Sequence, residues 1–453
     1  MAAEPHTIAQ LARALRAGET TSEAVTDRCL ARIAEQNPTL NAFITVFADE
    51  ARATARAADR EMAQGRYRGP LHGVPISLKD LLDVQGTTTT AASNVRKGHV
   101  APSDAPVVAH LRDAGAVFVG KCNLHEFAFG TTNEDSAFGP ARHPVDFNRS
   151  PGGSSGGSAV SVATGMAFAS IGTDTGGSIR IPAAACGVVG LKPGLGEIST
   201  AGVVPLSRTM DHVGPLCRSV ADAAILFDVL RGRTPEDLPP KPREVRGLRL
   251  GIPRDYFLTL LDPQVASSFD SACDRLRAAG AVLEDVHIAH ANEIAPIYLH
   301  IVLPEAATYH AKTLESRADD YTPNVRLRLE MGRYILAQDY ARALRGREVL
   351  KAEVDAALAD RDGLLLPALA VPAPRLGVPT VKVSGSEEPV RNITLRLTQL
   401  FNVTGHPALT APCGHTFDGL PIGAQIVGHQ GRTRELLELA QACETYLAPG
   451  ASR

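Results

Sequence analysis

Hydrophobic positions recur at helical spacing near the start of the chain. From Ile8 to Ile44 the pattern is helical, and Thr20 followed by Glu23 predicts a capping box that opens one of the helices. The apolar stripe of that helix consists of Val25, Cys29 and Ile33. We therefore expect the stripe to face a core.

Short apolar runs then alternate with helical stretches up to about residue 190. The runs typical of buried strands are Val74–Leu78, Val117–Val119 and Ala167–Gly172. Between them, Ala105–Ala114 is typical of a helix with Pro106 in its first turn. Strands that alternate with helices favour an α/β fold with a largely parallel sheet.

The second half of the chain repeats this alternation after a polar, proline-rich stretch at residues 233–243, which is the best candidate for a boundary. A helical repeat follows around Phe269, and residues 324–358 are strongly helical, with arginines expected on a solvated face. The predicted strands are Arg246–Pro253, Ala281–Ile288, Leu364–Val371, Ala408–Pro412 and Pro421–Val427.

Composition narrows the class of protein. The 453 residues carry 46 basic and 49 acidic side chains, a net charge of −3, which gives no footprint for nucleic acid or an anionic membrane. No apolar run approaches the roughly 18–20 residues of a membrane span, and no signal-peptide pattern opens the chain, so we expect a cytoplasmic protein. The seven cysteines form no Cys-x-x-Cys pair and no His-Glu-x-x-His occurs, so we expect neither disulfides nor a metal ion.

The most informative segment is Ser150–Pro182, which contains two glycine- and serine-rich stretches. Paired glycines let backbone amides approach a ligand closely, and clustered amides can hold a phosphate or the oxyanion of an acyl transfer. The phosphate-binding P-loop is excluded because Ser158 stands where that motif needs a lysine. The oxyanion interpretation remains.

Two serines compete as the nucleophile. Gly153–Gly157 satisfies Gly-x-Ser-x-Gly with Ser155 at its centre, but that elbow must follow a buried strand, and residues 146–151 have loop chemistry. Ser178 directly follows a glycine pair after a strand-like run, and it is the better nucleophile. In the elbow alternative the base would be a late histidine: His406, His415 or His429.

Lys79 is the other candidate base because it ends an apolar run and its stem should be buried at the edge of the sheet. Lowering a lysine pKa from ~10.4 to ~7 costs about 4–5 kcal/mol, which makes sense for a catalytic base. Local sequence alone favours the plainer alternative, an ion pair between Lys79 and Asp80.

Taken together, Leu78–Asp80, Gly152–Ser158 and Gly172–Pro182 resemble the amidase signature family in order and spacing. The supporting matches are Gly120–Phe127, Gly190–Pro193 and Met210–Pro215. The resemblance implies an α/β fold with a large mixed, mostly parallel central sheet covered by helices on both faces. It implies a single domain, 1–453, with a catalytic core at 65–230, a variable substrate-specificity region at 245–400, and strands and a helix that return to the core at 400–446.

Carried over residue by residue, the resemblance implies a Ser–cis-Ser–Lys triad of Ser178, Ser154 and Lys79, in which the peptide bond ending at Ser154 is cis. The oxyanion hole would be the amides of Thr175, Gly176, Gly177 and Ser178. The supporting residues would be Ser155, Asp174 and Arg180. The implied reaction is hydrolysis of a small-molecule carboxamide through a serine acyl-enzyme, with release of ammonia or an amine and without metal or organic cofactor.

For the substrate, the resemblance points to residues 127–133, to Glu305–Tyr309 and to 392–402, with Phe127, Thr131 and Thr132 as binding residues. Phe127, Phe129 and Phe138 fit a core role equally well. No nucleic acid or membrane partner is expected, and a homodimer is compatible with the family.

Three alternatives remain. An esterase would use the same chemistry, and a non-catalytic binder is disfavoured by the intact Lys79, Ser154 and Ser178. The glutaminase component of a glutamine-dependent tRNA amidotransferase would place Arg347 at the glutamine carboxylate, but Arg432 stands where that component has an acid for the amino group. A free-standing amidase is favoured.

Overall fold

The computed structural model describes residues 5–233 and 244–448. The predicted boundary, apart from residue 233, lies outside these described residues. The helices are α1 (Ile8–Arg16), α2 (Ser22–Leu40), α3 (Ala48–Ala63), α4 (Pro106–Asp113), α5 (Gly156–Ala163), α6 (Arg180–Cys186), α7 (Val220–Leu230), α8 (Pro263–Ala278), α9 (Ile294–Arg317), α10 (Pro323–Gly332), α11 (Ala337–Leu358), α12 (Val390–Leu395), α13 (Leu400–Val403) and α14 (Thr433–Leu447). Short 3₁₀-helices lie at Asn94–Arg96, Glu126–Ala128, Ala291–Glu293 and Ala318–Asp320.

The strands are β1 (Phe43–Val46), β2 (Pro75–Lys79), β3 (Val117–Cys122), β4 (Ala169–Asp174), β5 (Val189–Lys192), β6 (His212–Cys217), β7 (Arg249–Pro253), β8 (Val282–Val286), β9 (Gly363–Pro367), β10 (Thr380–Val383), β11 (Ser386–Pro389), β12 (Ala408–His415) and β13 (Pro421–Val427). Eleven of them form one sheet in the order β1-β3-β2-β4-β6-β5-β12-β13-β9-β7-β8, and β10 pairs with β11 separately.

The large sheet is mixed, as expected, but the expectation that it is mostly parallel is wrong. Only the pairs β2–β3, β2–β4, β7–β8 and β7–β9 are parallel, and the other six are antiparallel. Part of the reason is a short connection, since β12 leads to β13 through residues 416–420 alone. Parallel neighbours need a long crossover, usually helical, whereas a short connection permits only antiparallel pairing.

Helices pack against strands across most of this sheet. Helices α6 and α7 both contact β5, and α6, α8 and α14 all contact β12. Strands β2, β3 and β4 are buried along their whole length, as strands covered on both sides are. The sheet and its helices thus enclose the carboxyl ends of β2 and β4, where the glycine-rich segments begin.

Local sequence rules locate most elements, with errors at their ends. The stripe Val25, Cys29 and Ile33 is buried in α2, as predicted. The cap of α2 is Thr21 rather than Thr20, because the Thr21 side chain accepts the amide of Ala24. The predicted helix at 324–358 is two helices, α10 and α11, separated at residues 333–336.

All seven cysteines are buried, and their thiols form no disulfide within the described residues. Within residues 5–233 and 244–448, every helix is too short or too polar to cross a bilayer.

A substitution at Gly214 on β6 tests how closely the central strands pack. A Cβ atom there would lie 2.1 Å from the carbonyl oxygen of Leu191 on β5, and backbone cannot move aside cheaply. We expect Gly214→Ala to lower the free energy of unfolding by about 1–3 kcal/mol in urea titrations. Gly98→Ala is the control because nothing lies within 4 Å of its Cβ position, and it should change stability by less than about 0.5 kcal/mol. Equal effects of the two substitutions would contradict the packing argument.

Candidate active site

Lys79 is the last residue of β2, and it is fully buried. Its Nζ donates hydrogen bonds of 2.8 Å to the hydroxyls of Ser154 and Thr173. Thr173 lies on the neighbouring strand β4, which runs parallel to β2. The buried ammonium group is therefore held by neutral oxygens from two sides.

The alternative in which Lys79 pairs with Asp80 is wrong. Asp80 instead pairs with Lys121 on β3, with 2.9 Å between Nζ and Oδ1. Lys79 ends β2 and Asp80 lies in the turn that follows, and the two side chains have different partners: the hydroxyls of Ser154 and Thr173 for Lys79, and Lys121 for Asp80. None of the described carboxylates is close enough to Lys79 to form an ion pair.

Burial lowers the pKa of Lys79 from 10.5 to about 7, and the charges of Asp174 and Asp211 oppose this shift without cancelling it. A lysine with such a pKa is about half neutral at physiological pH. It can accept a proton, as a general base must.

Ser154 and Ser155 lie in the loop that precedes α5. The peptide bond between Gly153 and Ser154 is cis. The Ser155 hydroxyl donates to the carbonyl of Thr173 (3.2 Å), and its amide donates to the carbonyl of Ser178 (3.2 Å). The two glycine-rich segments are thus joined backbone to backbone.

Ser178 lies between the end of β4 and the start of α6 and is 6% exposed. At Gly177, φ is +142°, and a Cβ there would lie 2.2 Å from the Thr398 hydroxyl. That hydroxyl donates to the carbonyl of Gly176 (2.6 Å). The amides of residues 175–178 donate to no group in the described part of the chain, so they are available for an anion.

Asp174 and Arg180 fix both ends of this loop. Arg180 donates to both carboxylate oxygens of Asp174, at 3.1 and 3.0 Å, and both residues are fully buried. Although burial by itself raises the pKa of Asp174, the charge and hydrogen bonds of Arg180 bring it below its usual range. Asn402 and Gln425 hold the same pair from α13 and β13.

Asp211 is a further supporting residue that sequence reasoning did not assign. It accepts the Thr175 hydroxyl (2.6 Å) and the amides of Leu206 and Ser207. Burial raises the pKa of Asp211 to about 6. Its position in the motif Met210–Pro215 was the only available signal, since the contact with Thr175 depends on the pairing of β4 with β6.

The predicted substrate residues lie at different distances from the serines. The backbone of Thr131 and Thr132 contacts Gly153, because a Cβ there would lie 2.9 Å from each. Phe127 is instead packed against the rings of His310 and Tyr321, with centroids 4.3 and 5.6 Å apart. Phe127 therefore has the surroundings of a core residue.

The late histidines of the elbow alternative lie elsewhere. His406 bonds to Thr404 and Asp355, His429 bonds to the carbonyl of Arg361, and His415 is exposed. None of the three bonds to Ser154, Ser155 or Ser178 within residues 5–233 and 244–448. The segment before Ser154 is also a loop rather than a strand, as expected.

Known amidases resemble this chain in both sequence and structure. A family model described as Amidase matches residues 24–437. An amidase of Pseudomonas putida is 41% identical over 427 residues, which cover 91% of this chain and 90% of that protein. The A component of the glutamyl-tRNA(Gln) amidotransferase of Chloroflexus aurantiacus is 37% identical, over 96% of this chain and 95% of that one. A crystal structure of an amidase superposes with a TM-score of 0.91 at 38% identity, over 97% of this chain and 99% of that one.

The pKa of Lys79 predicts how stability depends on pH. Between about pH 7 and 10.5 the unfolded chain binds one proton more than the folded chain, so the wild-type protein gains stability as pH rises. Relative to Lys79→Met, we expect the free energy of unfolding of the wild type to rise by about 2 kcal/mol between pH 7 and pH 9. Urea unfolding at both pH values measures it, with Lys97→Met as a control for loss of an exposed charge. A difference that stays constant would contradict a buried lysine that gives up its proton on folding.

Proposed function

The chain belongs to the amidase family and is an amide-hydrolysing enzyme, and we propose that Ser178, Ser154 and Lys79 carry out the cleavage. The observation that carries the proposal is the buried Nζ of Lys79, bonded to the Ser154 hydroxyl at 2.8 Å, while the adjacent acid Asp80 pairs elsewhere. A neutral amine so placed activates a hydroxyl, as the histidine of a serine hydrolase does.

In the first half of the reaction, neutral Lys79 takes a proton through Ser154 while the Ser178 Oγ attacks the amide carbonyl. The carbonyl oxygen becomes an oxyanion, which the amides of residues 175–178 stabilise. Ser154 then passes a proton to the departing nitrogen. The carbon–nitrogen bond breaks, and ammonia or an amine leaves.

In the second half, a water molecule loses a proton to the same pair of groups and attacks the acyl-enzyme. The ester bond to Ser178 breaks and its oxygen regains a proton. The products balance as one carboxylic acid and one amine for each amide and water consumed. The Asp174–Arg180 pair and the Asp211–Thr175 bond keep the amides oriented throughout, so little reorganisation is needed during the reaction.

A second candidate is glutamine hydrolysis within a tRNA amidotransferase, which the similarity to the Chloroflexus protein favours. Arg347 would then meet the glutamine carboxylate, and its Nη2 here donates to the hydroxyl of Thr209 (3.0 Å). Arg432 is 61% exposed and pairs with Glu435, so no acid at that position meets the ammonium group of glutamine. A free-standing amidase that acts on a different small-molecule amide is therefore the better-supported function. Glutaminase activity that appears only with a partner protein would favour the second candidate instead.

A hydrolysis screen of aliphatic amides, aryl amides, anilides, ureas, glutamine and esters would identify which amide is cleaved. The esterase alternative is tested in the same screen. A cytoplasmic location, a homodimer and the single-domain division stay predictions from the sequence.

Replacing the catalytic groups tests the assignment. We expect Ser178→Ala and Lys79→Ala each to lower kcat/KM on the best amide by about 10³-fold or more, because each removes the nucleophile or its base. The control is Ser161→Ala, which removes a buried hydroxyl on α5 that has no proposed role. Its kcat/KM should stay within about threefold of the wild-type value. Normal activity of Ser178→Ala together with loss in Ser155→Ala would establish the elbow serine as the nucleophile.

The pH profile tests the base. Since burial lowers the pKa of Lys79 to about 7, kcat/KM should fall about tenfold per unit below pH 7 and level off above pH 8. Initial rates from pH 5 to 10 on a substrate that does not titrate measure this. A flat profile over the same range would count against a titrating lysine.

A further inference from the structure

The carbonyl of Asp174 belongs to the same peptide unit as the amide of Thr175, the first amide of the proposed oxyanion hole. A peptide unit is planar and trans, so its C=O and N–H groups point in opposite directions. Whatever holds the carbonyl of Asp174 therefore also sets the direction of the Thr175 amide. Two side chains contact this carbonyl: Asn402 through Nδ2 at 3.0 Å and His212 through Nδ1 at 3.1 Å.

His212 is the first residue of β6, and it lies opposite Asp174 in the antiparallel register of β6 with β4. Its buried Nδ1 is 2.7 Å from the carbonyl oxygen of Met210 as well as 3.1 Å from that of Asp174. A carbonyl oxygen only accepts, so Nδ1 must carry the hydrogen that the two oxygens share. In a neutral imidazole the other nitrogen, Nε2, is then an acceptor.

The partner of that acceptor is Lys192, the last residue of β5, which is fully buried. Its Nζ lies 3.3 Å from His212 Nε2, 3.0 Å from the carbonyl oxygen of Pro193 and 2.6 Å from that of His406. An ammonium group has three N–H donors, and these three acceptors engage all of them. The ordinary pKa of a lysine is ~10.4 and that of a histidine ~6.5, so the proton stays on the amine and the imidazole stays neutral.

Lys192 and Lys79 are both buried, but their partners differ in kind. The hydroxyls of Ser154 and Thr173 can donate to a neutral amine as well as accept from a charged one, so both forms of Lys79 are satisfied. The partners of Lys192 only accept, so loss of its proton would leave one of them without a donor. The structure thus holds one lysine that can exchange a proton and another that fixes an imidazole.

The charges near His212 keep it from gaining a second proton. Burial, followed by the charge of Lys192, lowers the pKa of His212 well below its usual range. The other charges that act on it are Asp174 and Arg180, which pair with each other. Since Lys192 forms no ion pair with a carboxylate in the described part of the chain, its charge is the one that faces Nε2.

A donor to the Asp174 carbonyl also strengthens the Thr175 amide as a donor, because hydrogen bonds in a chain polarise one another. The Thr398 hydroxyl acts in the same way on the next peptide units, since it donates to the carbonyl of Gly176 and so orients the amide of Gly177. The difference is that the donor on Asp174 is an imidazole, whose hydrogen is in the right place only in one tautomer.

We propose that His212, held by Lys192 with its hydrogen on Nδ1, is a positioning residue for the oxyanion hole, which aims and polarises the Thr175 amide through the carbonyl of Asp174. This inference rests on the proposed function. The imidazole bonds to neither Ser154 nor Ser178 among residues 5–233 and 244–448, and it takes no part in proton transfer. Its contribution is to the transition state, where the oxyanion forms.

Substitutions of His212 test this role through the division between kcat and KM. We expect His212→Leu to lower kcat on the best amide of the hydrolysis screen by about tenfold or more, with KM within about threefold, because the lost bond matters only once the oxyanion forms. His212→Gln keeps a donor for the carbonyls and an acceptor for Lys192, and its kcat should stay within about threefold of the wild-type value.

The matched control is His72→Leu, which also removes a buried imidazole. His72 precedes β2 and so lies at the end of that strand opposite to Lys79. Its kcat and KM should both stay within about threefold of the wild-type values. An unchanged kcat in a folded His212→Leu, or an equal loss of kcat in His72→Leu, would overturn the inference.

A tetrahedral adduct tests the oxyanion hole directly. The boronic acid analogue of the acyl group of the best amide bonds to a serine oxygen through boron and places one of its own oxygens in the hole. We expect its Ki to rise about tenfold in His212→Leu and to stay within about threefold in His212→Gln and His72→Leu. A fall in kcat with an unchanged Ki for the boronic acid would contradict a role in the oxyanion hole.

The tautomer itself is measurable in the wild-type protein, whether or not His212→Leu folds. The imidazole nitrogens give separate ¹⁵N resonances, and the signals of His212 are those missing from His212→Gln. We expect a hydrogen on Nδ1 alone from about pH 5.5 to 9, because the neighbouring ammonium group disfavours a second charge. A hydrogen on Nε2 alone, or an imidazolium that titrates within this range, would overturn the inference.

Labelling separates failure of this inference from failure of the proposed function. A sulfonyl fluoride should modify Ser178 in the wild type and in His212→Gln, as mapped by mass spectrometry. Normal labelling of the wild type together with full kcat in His212→Leu would contradict the positioning role and leave the serine mechanism intact. Absence of labelling in the wild type would contradict the proposed function and, with it, the inference.

Discussion

The hydrogen bond from Lys79 to Ser154 is the interaction on which the site depends. It lies at the end of a buried strand, where the ammonium group also contacts the hydroxyl of Thr173. Neutral oxygens stabilise a charge less than a carboxylate would, and burial removes the water that could replace one. The fold therefore favours the neutral amine, and it does so by placing the adjacent acid, Asp80, against Lys121 instead.

Burial also places a requirement on the backbone amides of the glycine-rich loop at residues 175–178. The proposed oxyanion hole needs amides that bond to nothing else, and such amides are unfavourable in a buried loop unless side chains hold the backbone in place. Asp174, Arg180 and Asp211 do this from one side, and Thr398 does it through the carbonyl of Gly176. These groups come from segments far apart in the chain, so the loop keeps its shape only in the complete sheet.

Much of this could be predicted from the sequence, because short-range patterns decide it. The strand that ends at Lys79, the helix with Pro106 in its first turn and the strand at Pro421–Val427 all carry local signals. The directions of the strands do not, since β5, β6 and the β12–β13 hairpin are decided by how the chain returns to the sheet. The Lys79–Asp80 pair was wrong for a related reason: local sequence shows which charges are adjacent, whereas the fold of the chain beyond the strand decides which of them meet.

The positions of Arg328 on α10 and Arg391 on α12 could not be predicted from the sequence either. In the sequence Arg328 is one of many basic residues on a helix predicted to face solvent, and Arg391 stands in an unremarkable polar stretch. Only the folded chain brings them near each other, where the charge of Arg391 contributes to lowering the pKa of Arg328. The proposed reacting groups come from residues 79–178, whereas the side chains of Tyr298, Leu395 and Thr398, which lie against Gly176 and Gly177, come from residues 298–398. Such a division along one polypeptide would let selection alter what the protein accepts by exchanging a few helical side chains, while the machinery for breaking the bond is inherited unchanged.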